Sequence, residues 1–335
     1  MKKLSLILIG FLLVLTSCDG GGDDTVVVQD PAFTTLKNYM VNNEYDIPNI
    51  IGSKADGSFF VTAPPATEAE IPAFLAKYHV IDIRSKTVYD EGHIAGAKNV
   101  AEFKNILAEG AQGKPILIVC YSGQTACYAT ALMRMYGYKN TKALKWGMSG
   151  WNPTNADAAW NKKIGANEAE GHENWSYGSE PAKMVFTDPT ISSLKTDGEQ
   201  LLKERVEKIF DENKAQYANG SDILANPSGF FLNNYFNPTD YSNFGHIDGA
   251  HRILPLSLAG GEYSNLDPTS GAKVVTYCYT GQTSAIVTAC LRVLGYDAYS
   301  LVYGMNGMYN TNTAWSSNQW GVTGNPKNYP TVVTN

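Results

Sequence analysis

Two kinds of apolar pattern alternate along most of this chain. Short unbroken apolar runs, such as Pro115-Ile116-Leu117-Ile118-Val119 and Tyr78-His79-Val80-Ile81-Asp82-Ile83-Arg84, predict strands buried on both faces. Other segments carry apolar residues three and four positions apart. Phe33, Leu36, Tyr39 and Met40 share one helical face, and Leu202, Val206, Ile209 and Phe210 share another. Helices are also predicted over 68–77 and 126–136, with a weaker one over 103–109, and short strands over 59–61, 98–100 and 142–144. Strands alternating with helices imply an α/β fold with a mostly parallel sheet covered on both faces.

The pattern occurs twice. Cys120-Tyr121-Ser122-Gly123-Gln124-Thr125-Ala126 follows one apolar run, and Cys278-Tyr279-Thr280-Gly281-Gln282-Thr283-Ser284 follows another, Lys273-Val274-Val275-Thr276-Tyr277. Gly92-His93-Ile94 matches Gly245-His246-Ile247, and Gly147-Met148 matches Gly304-Met305. Arg134 and Arg292 stand at the same offset from their loop cysteines. A period of about 158 residues is a domain duplication, too long for a solenoid repeat.

The start of the chain reads differently. Met1-Lys2-Lys3 is basic, Leu4 to Leu15 is apolar but short for a spanning helix, and Leu15-Thr16-Ser17-Cys18 places small residues before a cysteine. This resembles a bacterial lipoprotein signal, implying cleavage before Cys18 and lipid on it. Asp19-Gly20-Gly21-Gly22-Asp23-Asp24 would then be a flexible tether to a membrane surface. The expected organisation is 1–17 signal peptide, 18–30 tether, 31–165 first domain, 166–190 linker and 191–335 second domain. The expected location is the bacterial cell envelope, on the inner or outer membrane and facing periplasm or cell surface.

Composition narrows the partners. The 335 residues are 44% apolar and 17% charged with a net charge of −6, enough for buried cores and without a basic footprint for nucleic acid. Five cysteines and five histidines stand at no metal-ligand spacing, so neither a zinc site nor a disulfide scaffold is expected.

The two loops carry the candidate chemistry. A cysteine at the end of a strand, followed at once by a helix, meets loop N–H groups and the positive end of the helix dipole. Both favour thiolate and cradle anions. Gly123 and Gly281 let the backbone curl, and Ser122, Thr125, Thr280, Thr283 and Ser284 add hydroxyls. A buried structural cysteine is the bland alternative. Two copies of one Cys-Tyr-x-Gly-Gln-Thr frame weigh against it.

These motifs together resemble the rhodanese family: Ile81-Asp82-Ile83-Arg84, Gly92-His93-Ile94-Ala95-Gly96-Ala97, the Cys120 loop and the closing Gly147-x-x-Gly150-Trp151. The resemblance covers about residues 68–151 and 221–308. It implies two tandem domains, each a mostly parallel five-stranded sheet flanked by helices. It also implies a cysteine that takes sulfane sulfur from a thiosulfate- or mercaptopyruvate-like donor, holds it as a persulfide and passes it to a thiol or cyanide. Cys120 and Cys278 are then the nucleophiles. Tyr121, Ser122, Gly123, Gln124, Thr125, Ala126, Tyr279, Thr280, Gly281, Gln282, Thr283 and Ser284 form the substrate-binding loops. No metal or other cofactor is called for. The expected partners are a small-molecule sulfur donor, a thiol acceptor, the membrane through Cys18, and envelope redox proteins, with no nucleic acid.

Several residues have blander expected roles. His93 and His246 would shape a turn, Asp82 and Arg84 would form a buried pair, and Cys127 and Cys290 would pack in the core. Neither loop holds Lys or Arg, which leaves backbone donors alone for a doubly charged anion. The second half shows Phe230-Phe231-Leu232-Asn233-Asn234 where Asp-x-Arg is expected, so Cys120 is expected to outperform Cys278. A phosphatase of the same architecture needs Arg six residues after its Cys, where this chain has Ala126 and Ser284. Two other readings remain: a lipid-anchored component of an envelope redox or electron-transfer system, and selenium or tellurium oxyanion handling.

Overall fold

The structure, a computed structural model, describes residues 31–52, 59–322 and 324–334. Cys18, with the expected signal and tether, lies outside the described residues. Among the described residues no helix is long and apolar enough to cross a membrane.

The first half is built on β1 (Val61–Thr62), β2 (His79–Asp82), β3 (Lys98–Asn99), β4 (Ile116–Val119) and β5 (Lys142–Leu144). They form one sheet in the order β1-β5-β4-β2-β3, parallel throughout. The central strand β4 is buried along its whole length, as its unbroken apolar run requires. The segment expected as one helix over 68–77 is a 3₁₀ turn, Glu68–Glu70, followed by the helix Ile71–Leu75. Glu70 reaches back to the Thr67 backbone N–H at 3.1 Å, half of a capping box.

The second half repeats the plan with β7 (Tyr217–Ala218), β8 (Phe231–Asn234), β10 (Val274–Tyr277) and β11 (Ala298–Leu301), after a two-residue β6 (Trp175–Ser176). Its parallel sheet runs β7-β11-β10-β8. Where the first sheet has β3, the second has a single parallel bridge between Asn233 and His251, so four strands stand where five were expected. The chain before His251 is used elsewhere: β9 (His246–Ile247) pairs antiparallel with β6. The expected linker is therefore partly built into the second half. Trp175 is buried in it, whereas Tyr177 is exposed.

The helices Gln124–Tyr136 and Gln282–Val293 follow the two loops and pack against each other between the halves. Both are buried almost all round, their polar residues included. Further contacts tie the halves together. The Asp46 carboxylate accepts hydrogen bonds from the Leu258 and Ala259 backbone N–H groups at 2.8 and 3.0 Å. The helix Gly198–Asp211, expected to open a second domain, packs on both halves, placing Phe210 against Phe103 and Arg205 on the Val293 carbonyl. The C-terminal tail returns to the first half, where Tyr329 N–H bonds to the Trp151 carbonyl and Val332 bridges His93. The chain from Pro31 onward is one compact unit.

Candidate active site

Each loop cysteine sits where a central strand ends and its helix begins. In the first half, the Gly123 and Ala126 backbone N–H groups donate to Cys120 Sγ at 3.2 and 3.3 Å. In the second, the Ser284 N–H donates to Cys278 Sγ at 3.3 Å. Ser284 Oγ lies 3.5 Å from that sulfur and 2.8 Å from Ser300 Oγ. The helix-start residues Gly123 and Gly281 have φ of 87° and 74°, the left-handed turn that aims these amides inward.

A second glycine in each half lets another backbone segment clamp the loop. A Cβ on Gly147 would stand 2.3 Å from the Cys120 carbonyl oxygen, and one on Gly304 would stand 2.3 Å from that of Cys278. This closeness lets the Met148 N–H bond to the Cys120 carbonyl at 2.8 Å and the Met305 N–H to the Cys278 carbonyl at 2.9 Å. The residues just before, Trp146 and Tyr303, hold φ near +60° without being glycine, at 64° and 59°. The motif Gly147-x-x-Gly150-Trp151 is therefore a clamp on the nucleophile loop.

The loop glutamines face away from the sulfurs, toward the other half. Gln124 Nε2 donates to the Leu301 carbonyl at 3.1 Å, and its Oε1 accepts from the Tyr303 N–H at 2.8 Å. Gln282 takes the mirrored position against Gly123, but its Nε2 has no hydrogen-bond partner although the residue is only 2% exposed. The glutamines are structural cross-ties on one side and an unfinished one on the other.

The halves differ around their loops. Arg84 and Asp82 form a buried forked pair, with guanidinium–carboxylate distances of 2.7 and 3.0 Å. Arg84 also donates to the Asn155 side chain and the Gly92 carbonyl, and its guanidinium lies over the Tyr121 ring at 5.4 Å. Strand register places Asn234 opposite Tyr277 as Asp82 stands opposite Val119. The second-half equivalents are therefore Asn234, the last residue of the stretch named from sequence, and Phe236, two residues beyond it. Phe236 stacks on Tyr279 at 4.4 Å, as Arg84 covers Tyr121. A neutral Asn–Phe couple replaces the ion pair.

The mouths differ more. Backbone bonds align Val61 with Tyr217, and Lys145 with Val302: the Lys145 N–H bonds to the Thr62 carbonyl, and the Val302 N–H to that of Ala218. Tyr217, from the second half, hydrogen-bonds through its hydroxyl to Thr125 of the Cys120 loop at 2.9 Å. Trp160 closes another side, donating from Nε1 to the Ser122 carbonyl at 3.1 Å and stacking on Trp320 at 5.2 Å. Cys120 is 5% exposed, and burial pushes its thiol up despite the opposing pull of the Ala126, Gly123 and Ser122 amides. The expected thiolate-favouring balance is thus reversed there. Cys278, 2% exposed, is at least as buried, and it borders a cavity of about 200 Å³ with Tyr279, Thr280, Gln282 and Thr283 of its own loop, and with Phe59, Phe60, Val61 and Lys145 of the first half.

The remaining expectations fall into place by burial. His93 and His246 each stack on a tyrosine, Tyr89 at 3.7 Å and Tyr241 at 3.8 Å, and each places Nδ1 on that tyrosine's carbonyl. They build the turn and do not face the sulfurs' hydrogen-bond shells. Cys127 and Cys290 are fully buried, and burial raises both thiols strongly. Among the described residues no cluster of His, Cys, Asp or Glu could hold a metal ion. Lys145, on the wall of the same cavity, belongs to the half opposite the Cys278 loop, so spacing within one half did not point to it.

Comparison with known proteins agrees with this architecture. The family model for the rhodanese-like domain matches residues 67–154 and 236–311. A thiosulfate sulfurtransferase GlpE of Pseudomonas entomophila is 32% identical over 80 residues, 22% of this chain and 71% of that one. Its counterpart in Shewanella oneidensis is 28% identical over 79 residues, 23% of this chain and 78% of that one. The solved 3-mercaptopyruvate sulfurtransferase from Leishmania major is 14% identical, covers 73% of this chain and 72% of its own, and has a TM-score of 0.25. The chain belongs to the rhodanese family, with two rhodanese-like domains in tandem.

Proposed function

We propose that the protein is a sulfurtransferase that carries sulfane sulfur on Cys278, with Cys120 as a second site of the same frame. The observation that carries this reading is the placement of Cys278 Sγ: under the Ser284 N–H, at the start of a buried helix, on the wall of a cavity. The attacking species is the thiolate. It attacks the sulfane sulfur of the donor and forms an S–S bond. The donor's bond to that sulfur breaks, and its electron pair departs with the leaving group, sulfite when the donor is thiosulfate. With a mercaptopyruvate-like donor the broken bond is C–S, and the electron pair goes to the pyruvate enolate, which then takes a proton. An acceptor thiolate or cyanide next attacks the outer sulfur of the Cys278 persulfide, and the Cys278 thiolate is regenerated. The loop amide and helix terminus stabilise the negative charge on sulfur before and after transfer.

This reading reverses the order expected from sequence, where the intact Asp82–Arg84 frame favoured Cys120. That frame fixes the loop, whereas the cavity that could admit a donor borders Cys278. The purified chain from residue 19 is expected to form thiocyanate from cyanide with thiosulfate or mercaptopyruvate; no turnover with either donor removes the reading.

We further infer, from Leu15-Thr16-Ser17-Cys18 alone, that Cys18 is lipidated and the enzyme works on the cell envelope. Cys18→Ala is expected to move the protein from the membrane to the soluble fraction.

A further inference from the structure

The Cys278 loop has no cation of its own, but the cavity in front of it has one. Lys145 follows β5 of the first half and lines the same cavity as Cys278, Thr280, Gln282 and Thr283. Its ammonium donates to Asn318 Oδ1 at 2.8 Å, and it lies over the Trp146 ring at 5.5 Å. No carboxylate among the described residues pairs with it. Burial alone lowers its pKa, so no nearby charge offsets the cost. A half-buried ammonium held by one neutral oxygen is electrically unfinished.

The same loop holds a second unfinished group, on its side toward Gly123. Gln282 Nε2 is buried without a partner. Its counterpart Gln124 spends the same atom on the Leu301 carbonyl. An ammonium and the side chains of Thr280 and Thr283 thus border the space before a nucleophilic sulfur. The pseudo-equivalent site has none of this charge, because Val302 stands where Lys145 would be and Tyr217 occupies the place of Val61.

Resting on the sulfurtransferase reading above, we propose that Lys145 is the anion-binding residue of the Cys278 site. The donor is then one whose leaving group carries an oxyanion, a sulfonate or carboxylate. The Cys278 site is a composite of both halves. Lys145 supplies the charge that an oxyanion needs and that the loop amide alone does not. In the transfer from thiosulfate, three negative charges enter the pocket on thiolate and donor, and three are shared afterwards by persulfide and sulfite. Lys145 neutralises part of that charge where sulfite departs, so it sets donor preference and binding more than the attack itself.

The test separates charge from chemistry by alkylating the full soluble chain with iodoacetate, an anion, and with iodoacetamide, its neutral analogue. The extent at each cysteine is read by peptide mass spectrometry. At Cys278 the iodoacetate-to-iodoacetamide rate ratio is expected to fall about three- to tenfold in Lys145→Gln and to persist in Lys145→Arg. The ratio at Cys120 is expected not to move. With thiosulfate and cyanide, Lys145→Gln is expected to raise KM by about tenfold or more, with a smaller change in kcat. An unchanged ratio at Cys278 in Lys145→Gln, or an equal loss in Lys145→Arg, overturns the proposal. A wild-type chain that shows the charge-dependent ratio but takes no sulfur from either thiosulfate or mercaptopyruvate keeps the anion site and removes the sulfurtransferase reading.

Discussion

The hydroxyl of Tyr217, on the first strand of the second half, lies 2.9 Å from Thr125 Oγ1 of the first-half nucleophile loop. Val61 holds the matching place beside the other loop, so two loops of nearly identical sequence have different neighbours.

If Tyr217 is the plug, shortening it should expose Cys120. Tyr217→Val, which installs the residue of the other side, is expected to raise the iodoacetamide rate at Cys120 by about tenfold or more. The stability cost is that of a large-to-small core change, about 2–4 kcal/mol. An unchanged rate in a folded variant would mean that something else closes the site.

The buried Asp82–Arg84 pair is expected to matter for folding more than for sulfur chemistry. Arg84→Ala leaves the Asp82 carboxylate buried without its partner, for an expected loss of about 3–5 kcal/mol in urea melts. The second half supplies a neutral solution in Asn234 and Phe236. The double change Asp82→Asn with Arg84→Phe is therefore expected to recover roughly half of that loss, since no unpaired charge remains. A double variant less stable than Arg84→Ala would contradict this.

The glycine clamp yields a local prediction. Gly304→Ala puts a methyl group 2.3 Å from the Cys278 carbonyl oxygen, at a residue with φ of 53°. The strained backbone costs about 1–3 kcal/mol before the collision is added. Thiocyanate formation is expected to fall by at least about tenfold, because the loop must move to relieve the contact. Gly165→Ala, where a Cβ meets nothing within 4 Å, is the control.

Stability should also fall in mild acid. Burial lowers the pKa of His246 and His251 below their ordinary 6.5. The unfolded chain binds those protons first, so stability is full above about pH 6.5 and declines as pH falls through and below it. The urea midpoint is expected to drop between pH 7.5 and 5.5, and His251→Phe, which can keep the stack on Phe231, is expected to drop less. Equal pH dependence in wild type and variant would exclude His251 as a contributor.

Much of this molecule was legible from the spacing of residues within each half. The strand runs, the Cys-Tyr-x-Gly-Gln-Thr loops and the closing glycines encode contacts between neighbours in one βα frame, which the duplication then repeats. The turn role of His93 and His246 and the buried Asp82–Arg84 pair were expected from the family resemblance of those frames, but the tyrosines the histidines stack on were not. What spacing could not reveal is which half faces which. Lys145 and Cys278 share a cavity although 133 positions separate them, and Tyr217 bonds to a loop almost a hundred residues earlier. The Asn234–Phe236 couple was hidden for another reason. Its chemistry changed from charged to neutral, so only strand register identifies it. The second sheet keeps only the Asn233–His251 bridge where β3 pairs with β2 in the first.

The most direct measurement is peptide mass spectrometry of the purified soluble chain after brief exposure to thiosulfate, with free thiols and persulfides trapped by alkylation. The extra sulfur atom is expected on the Cys278 peptide, with little on Cys120 and none on Cys127 or Cys290. Sulfur carried by Cys120 while Cys278 stays bare, or no sulfur on either loop, would contradict the assignment.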